Sequence, residues 1–302
     1  MLYTKGRKAM VDSFFKYLQY EKRYSPKTIT SYQTDIQQFS KFLETSYDEK
    51  CPELATYGTI RSWVVSLVEA KLDPRSINRK IACLRSFFKF CLKQEAIEKD
   101  PMQKIKVLKT SKKLPNFVHE EDMTKLLDHI EFETTLEGWR DRLIIELFYG
   151  TGIRLSELIG LKDQNVNLHE RTIKVLGKRN KERVIPFSKS IVSIIEGYRM
   201  VRDREVNKKD HHFLFVSNSG KPVYPMMVYR LVRKYLDKFT SVEKRSPHVL
   251  RHSFATHLLN KGAEINAVKD LLGHTSLAAT QVYTHNSMEK LKKVFDQAHP
   301  KA

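Results

Sequence analysis

The sequence predicts a mostly α-helical protein with a small β-sheet, in which a helical amino-terminal domain is joined to an α+β carboxyl-terminal domain. Three observations carry that expectation. Apolar residues recur at three- and four-residue steps through most of the chain, the signature of helices that bury one face. Two five-residue segments, Thr172 to Leu176 and Glu182 to Pro186, read instead as short strands. Between the halves lies a Lys-rich stretch with a proline and no sustained period, which places the domains at residues 1–103 and 119–302 with a basic linker at 104–118.

In the first domain, Val11 to Tyr20 carries Phe14, Phe15, Tyr17 and Leu18 and reads as a helix. Ser25-Pro26 is a helix start, with serine as N-cap and proline in the first turn, and Ile29, Tyr32, Ile36, Phe39 and Leu43 follow on one face. Ile60 to Ala70 gives a third helix. Asp73-Pro74 repeats the cap signal for a fourth, which carries Ile77, Ile81, Leu84, Phe88 and Leu92. The polar faces hold Lys27, Arg75, Arg79, Lys80 and Arg85, charges that are solvated by default. In a chain this basic, some of them are expected at phosphates, with Thr28, Thr30, Ser31 and Tyr32 as neutral donors beside them.

In the second domain, Glu120 to Ile130 and Trp139 to Tyr149 are helical, and Gly150-Thr151-Gly152 ends the latter. Arg154 then stands at the start of a helix marked by Leu155, Leu158, Ile159 and Leu161, where backbone donors also favour an anion. Glu157, one turn on, is positioned to hold its guanidinium. The strand pair is joined by Gly177-Lys178-Arg179-Asn180-Lys181, a basic connection of a common exposed kind. Ile191 to Arg202 is helical, Phe213 to Val216 a short strand, and Met226 to Phe239 an amphipathic helix. Ser246-Pro247 opens a further helix, Ile265 to Leu272 a shorter one that stops at Gly273, and Ser287 to Gln297 a last one with Met288, Leu291, Val294 and Phe295 on one face.

At 302 residues the chain is long enough for two ordinary cores, and 41% hydrophobic residues make it globular. Against 35 acidic residues stand 54 basic ones, a net charge of +19 that calls for an anionic partner, nucleic acid first. A membrane is the competing anionic surface. No apolar run approaches the ~20 residues of a spanning helix and no signal-peptide pattern opens the chain, so a cytoplasmic protein is expected. Cys51, Cys83 and Cys91 lack metal-ligand spacing and read as buried thiols. There is no P-loop and no acidic metal cluster, so neither cofactor nor metal is expected.

The stretch from Ser246 to His285 concentrates the polar chemistry. His248 and Arg251 sit three apart, on one side of a first helical turn, His274 directly follows Gly273, and Tyr283 lies beyond. Each residue alone is commonplace. In order, however, H-x-x-R, L-L-G-H and Y-T-H, preceded by TGIRLSEL at 151–158 and GKRNKERVIP at 177–186, resemble the tyrosine recombinase (phage integrase) family, and within it the Xer-type recombinases. The resemblance spans nearly the whole chain. It implies a helical core-binding domain and a tyrosine recombinase catalytic domain that close as a clamp on duplex DNA. It further implies Tyr283 as the nucleophile that makes a covalent 3′-phosphotyrosine, Arg154 and Arg251 as a clamp on the phosphorane, and His274 as a further donor. His248 would assist proton transfer from the tyrosine, and Lys178 would donate to the 5′ oxygen. Arg179 stands where Xer-type sequences often have glycine, a departure that bears on the turn beside Lys178.

The implied working unit is a homo- or hetero-tetramer on two DNA sites, exchanging strands through a Holliday junction without ATP, with the last helix docking onto a neighbouring protomer. The implied role is resolution of chromosome dimers, in line with the lack of a substantial arm-binding domain before Val11. The sequence leaves open the DNA site, a paralogue as partner and control by a DNA translocase. Three alternatives stand beside this reading: the integrase of a mobile element, a type IB topoisomerase, and a DNA-binding regulator without catalysis, the last opposed by the intact six-residue set.

Overall fold

The computed structural model describes residues 3–110, 116–177, 182–206, 212–240, 242–243 and 245–273. The chain divides into two compact units, residues 1–113 and 114–302.

The first unit is built on four helices, α1 (Tyr3–Lys16), α2 (Pro26–Tyr47), α3 (Tyr57–Glu69) and α4 (Pro74–Lys93). The caps read from the sequence are in place: Ser25 Oγ accepts the Thr28 N–H at 3.2 Å, and an Asp73 carboxylate oxygen accepts the Arg75 N–H at 2.8 Å. α3 begins three residues earlier than its apolar pattern because Thr56 and Thr59 form a reciprocal capping box. α1 continues into a π-helical turn at Tyr17–Glu21, where Tyr17 meets Phe90 at 5.0 Å between ring centroids. The core gathers Phe14, Phe39, Trp63, Leu84, Phe87 and Phe88.

One feature of this unit departs from the sequence expectation. Lys80 is not a solvated charge: it is 4% exposed, and its ammonium donates to Asp35 at 2.9 Å and to Gln38. Arg79 and Arg85 are likewise partnered, with Asp35 and with the Ile105 carbonyl. The division between the two units falls within the stretch read as a linker, 104–118, and each end of that stretch packs on its own unit. Ile105 is buried in the first core, and the Asn78 amide exchanges two hydrogen bonds with the Leu108 backbone, at 2.8 and 2.9 Å. Val118 is buried in the second core, with its N–H donating to Ser253 Oγ at 2.8 Å.

The second unit holds α5 (Glu120–His129), α6 (Leu136–Thr151), α7 (Leu155–Ile159), α8 (Lys189–Glu205), α9 (Pro225–Phe239), α10 (Pro247–Asn260) and α11 (Ile265–Leu272). A three-stranded antiparallel sheet is inserted between α7 and α8, with β1 (Val166–Asn167), β2 (Thr172–Leu176) and β3 (Glu182–Pro186) in that order. β2 and β3 pair from Thr172↔Pro186 to Leu176↔Glu182. α6 is the central element, buried along nearly its whole length and packed on α8 and α10. It starts at Leu136 because Thr135 caps it, its Oγ1 accepting the Gly138 N–H at 3.2 Å.

The strand expected at Phe213 to Val216 does not form. Only single bridges occur there, Phe213 with Lys162 and Val216 with Pro222. The backbone finds other partners: the Leu214 N–H donates to the Leu161 carbonyl at 2.8 Å, and the Val216 N–H to the Tyr198 hydroxyl at 3.2 Å. All three cysteines are buried free thiols, and burial pushes Cys91 up to about 12. The helix expected at Ser287 to Gln297 lies outside the described residues.

Candidate active site

The second unit holds a cluster of three arginines around one carboxylate, assembled where α6 and α11 end and where α7 and β3 begin. α6 stops at Gly152, whose φ of +59° is left-handed and whose missing side chain lets Phe254 and Leu272 approach. A Cβ there would lie 2.5 Å from the Phe254 ring. This sharp end turns the chain so that Arg154 caps α7. The Arg154 N–H donates to Glu157 Oε2 at 2.8 Å and its Nη1 to Glu157 Oε1 at 2.9 Å. The pairing of Arg154 with Glu157 read from the sequence is therefore present, while the backbone donor expected to favour an external anion is already taken by Glu157.

Glu157 has a second partner that sequence reasoning missed. Arg183, on β3, reaches both carboxylate oxygens, with Nη2 at 2.8 Å from Oε2 and Nη1 on Oε1. A signal for it existed. Strand alternation puts Arg183 on the same inward face as Ile185, and an arginine in register with a core residue needs a buried partner. Burial works against the charge on Glu157, but hydrogen bonds and positive charge from Arg183, joined by those from Arg154, outweigh it and hold the carboxyl below its ordinary range.

Arg251 enters from α10. It is 8% exposed, and it donates through Nη1 to the Gly152 carbonyl and through Nη2 to the Leu272 carbonyl at 2.6 Å. Arg154 Nη2 donates to the next carbonyl, that of Gly273, at 2.7 Å. A guanidinium carries five N–H groups, so these bonds orient both arginines without exhausting their donors. Burial first, then the charges of Arg154 and Arg183, lower the Arg251 guanidinium to about 10. Three guanidinium charges thus face one carboxylate, a positive excess held partly out of water.

His248 and Arg251 share the first turns of α10 but not an environment: His248 is exposed and Arg251 buried. Lys178 falls between the paired ends of β2 and β3, and His274 directly follows Gly273. Both of them, and Tyr283, lie outside the described residues. Of the six residues singled out in the sequence, the described structure brings together Arg154 and Arg251, through the carbonyls of Leu272 and Gly273. Among the described residues no group of three or more His, Cys, Asp or Glu side chains is arranged to hold a metal ion. No helix among them is long and apolar enough to cross a membrane.

Comparison with known proteins gives a consistent picture. The phage integrase family profile matches residues 116–290, and that of the phage integrase N-terminal SAM-like domain matches residues 11–95. The tyrosine recombinase XerC of Chlorobaculum parvum is 35% identical across 97% of this chain and 94% of its own length. That of Oceanobacillus iheyensis is 37% identical across 97% and 96%. Among solved structures, the XerH site-specific recombinase bound to palindromic difH substrate in a post-cleavage complex superposes with a TM-score of 0.69. It is 25% identical over 88% of this chain and 78% of its own. With a family match over more than half of its residues and relatives this similar along nearly its whole length, the chain belongs to the phage integrase family, the tyrosine recombinases.

Proposed function

We propose that the protein is a site-specific DNA recombinase of the Xer type that cuts and rejoins duplex DNA through a 3′-phosphotyrosine intermediate on Tyr283. The observation that carries this reading is the buried excess of positive charge formed by Arg154, Arg183 and Arg251 around Glu157. A phosphodiester carries one negative charge and the pentacoordinate phosphorane formed on attack carries two. A preorganised cluster of positive charge therefore favours the transition state over the ground state.

In the proposed reaction the Tyr283 oxygen attacks the scissile phosphorus in line. The P–O5′ bond breaks, Lys178 gives the departing 5′ oxygen its proton, and His248 assists removal of the phenolic proton. Arg154 and Arg251 hold the non-bridging oxygens, with His274 as a further donor. Because the bond energy stays in the phosphotyrosine, the 5′-hydroxyl of another strand rejoins the backbone and releases the tyrosine without ATP. The arginines supply the charge that metal ions supply at other phosphoryl-transfer sites, so cleavage is expected to persist in excess EDTA.

The names of the XerC relatives and the DNA-bound XerH neighbour support the Xer assignment. On that reading the protein works in the cytoplasm as a tetramer on two DNA sites, with itself or a paralogue, to resolve chromosome dimers. Its helical amino-terminal unit binds the same DNA. The test is covalent capture on duplexes selected from a random-sequence pool. The unmodified protein should give an adduct on denaturing gels, while Tyr283→Phe should bind the same duplexes and give none. An adduct retained by Tyr283→Phe would move the nucleophile elsewhere. Sequencing DNA captured in cells separates a chromosomal site from the ends of a mobile element.

A further inference from the structure

We infer that Arg183 is a positioning residue for strand cleavage: by gripping Glu157 and packing on Gly273 it fixes Arg154 and ties β3 to the end of α11. The inference rests on the function proposed above and extends the site by a residue outside the six.

The geometry is specific. Arg183 sits on β3 opposite Val175, five residues after Lys178 on the strand that follows it. Its two Nη groups address the two oxygens of Glu157, and a two-pronged contact fixes the plane of the carboxylate as well as its position. Arg154 leans on that same carboxylate through its backbone N–H and Nη1, so its orientation is set from behind by Arg183. The flank of the Arg183 side chain lies against Gly273. A Cβ on Gly273, where φ is +62°, would come within 3.1 to 3.2 Å of Arg183 Cδ, Nε and Nη1. Gly273 in turn offers its carbonyl to Arg154 and immediately precedes His274.

Charge and exposure separate orientation from the alternatives. Both Nη groups of Arg183 are committed to the carboxylate that also holds Arg154, and only 7% of its side chain is exposed against 27% for Arg154, so Arg183 acts on Glu157 and, through it, on Arg154. A cation in that crowded place is explained by the aim it gives Glu157 and Arg154.

The test is single-turnover cleavage of a nicked duplex bearing the selected site, measured from pH 5.5 to 8.5 with DNA affinity measured in parallel. Arg183→Met should slow cleavage roughly 10²-fold, the scale of a misplaced reacting group, while changing affinity little. Without Arg183 the Glu157 carboxyl takes up a proton at higher pH, so the deficit should deepen toward the acid end. That acid limb should vanish in the double variant with Glu157→Gln, whose loss should not exceed that of the worse single variant. Arg183→Lys keeps the charge but cannot address both oxygens, so it should cleave at a rate between wild type and Arg183→Met. Wild-type cleavage by Arg183→Met overturns the inference, as does a pH-independent loss that adds to that of Glu157→Gln. Should Arg183→Met fail to fold, wild-type cleavage by Arg183→Lys overturns it equally. Arg154→Ala separates the two levels: if it cleaves normally, the proposed function fails. If it is inactive while the Arg183 variants are normal, only the inference fails.

Discussion

Among the described residues, each unit holds a buried carboxylate between two basic side chains, Asp35 in the first and Glu157 in the second, and the two arrangements are built for different ends. In the first, Asp35 on α2 meets Lys80 and Arg79 on α4. Lys80 is enclosed, with its ammonium 5.9 Å from the Trp63 ring, but 42% of the Arg79 side chain is exposed, so the surplus charge is spread into water. In the second unit Glu157 meets Arg154 and Arg183, and Arg251 stands beside them with its charge buried. Asp35 ties two helices together through their sides. The Glu157 cluster is assembled from chain ends, at the close of α6, the start of α7 and the close of α11, where backbone carbonyls are free to aim guanidinium groups. An enclosed pair locks a fold. A buried surplus is costly until an anion arrives, and such a cost marks a site.

The sharpest way to break this comparison is to remove each carboxylate or cation and ask what is lost. Asp35→Ala would strand Lys80 without its counter-charge, and the expected loss of stability is about 3–5 kcal/mol by chemical denaturation. Lys80→Met in the same background should recover most of it, since the uncompensated charge goes with the lysine. A loss below about 1 kcal/mol, or no recovery, would show that the pair is not what joins α2 to α4.

Arg251 should behave in the opposite sense. Its guanidinium is lowered to about 10 by burial and by the neighbouring arginines, so at neutral pH its charge destabilises the folded state. Replacing it with an uncharged residue of similar length, Arg251→Met, gives up two carbonyl contacts but relieves that repulsion. The expected change in stability is small beside that of Asp35→Ala. Cleavage, measured as covalent adduct formed per unit time, should fall roughly 10²–10³-fold, the scale for removal of one preorganised donor. If Arg251→Met unfolds the protein as severely as Asp35→Ala, the distinction between the two clusters fails.

How far the two clusters are legible in the sequence follows from the same physics. The helices of the first unit announce themselves through period and through the caps Ser25 and Asp73, local signals that act within three residues, while the Thr56–Thr59 capping box that starts α3 three residues before its first apolar position goes unread. Arg154 and its tie to Glu157 are legible for the same reason, being three residues apart. Lys80 is easily misread although its position is informative: it falls three residues after Ile77 and four before Leu84, on the stripe that turns inward. Arg183 escapes notice because its partner is 26 residues away and only strand alternation hints at it. The missing strand at Phe213 to Val216 has a similar cause. Its backbone partners, Leu161 and Tyr198, come from a loop and a helix, so short-range propensity does not foresee them.

A third buried carboxylate sharpens the comparison, because it has less compensation than either of the others. Asp141, on α6, accepts a hydrogen bond from the Tyr235 hydroxyl at 3.2 Å. Its other oxygen lies 3.5 Å from Arg140, whose Nη1 is engaged with Asn218 at 2.8 Å and with the Val216 carbonyl. Burial raises the carboxyl to about 6, with Arg140 only partly opposing it and Glu137 adding to the rise. A carboxyl raised on folding keeps its proton in the native state over a range in which the unfolded chain has lost it. Stability therefore falls as pH rises from about 4 to about 6, and the penalty stays in place above that. Asp141→Asn keeps an acceptor for Tyr235 and removes the charge. It should be more stable than wild type at pH 8, by up to about 3 kcal/mol, since each tenfold change in proton affinity is worth about 1.4 kcal/mol. The difference should shrink toward zero at pH 4, where both side chains are neutral. Denaturation of the two proteins at both pH values isolates this group, since every other titration is common to the pair. A difference that does not change with pH would mean that Arg140 compensates Asp141 as fully as Lys80 and Arg79 compensate Asp35.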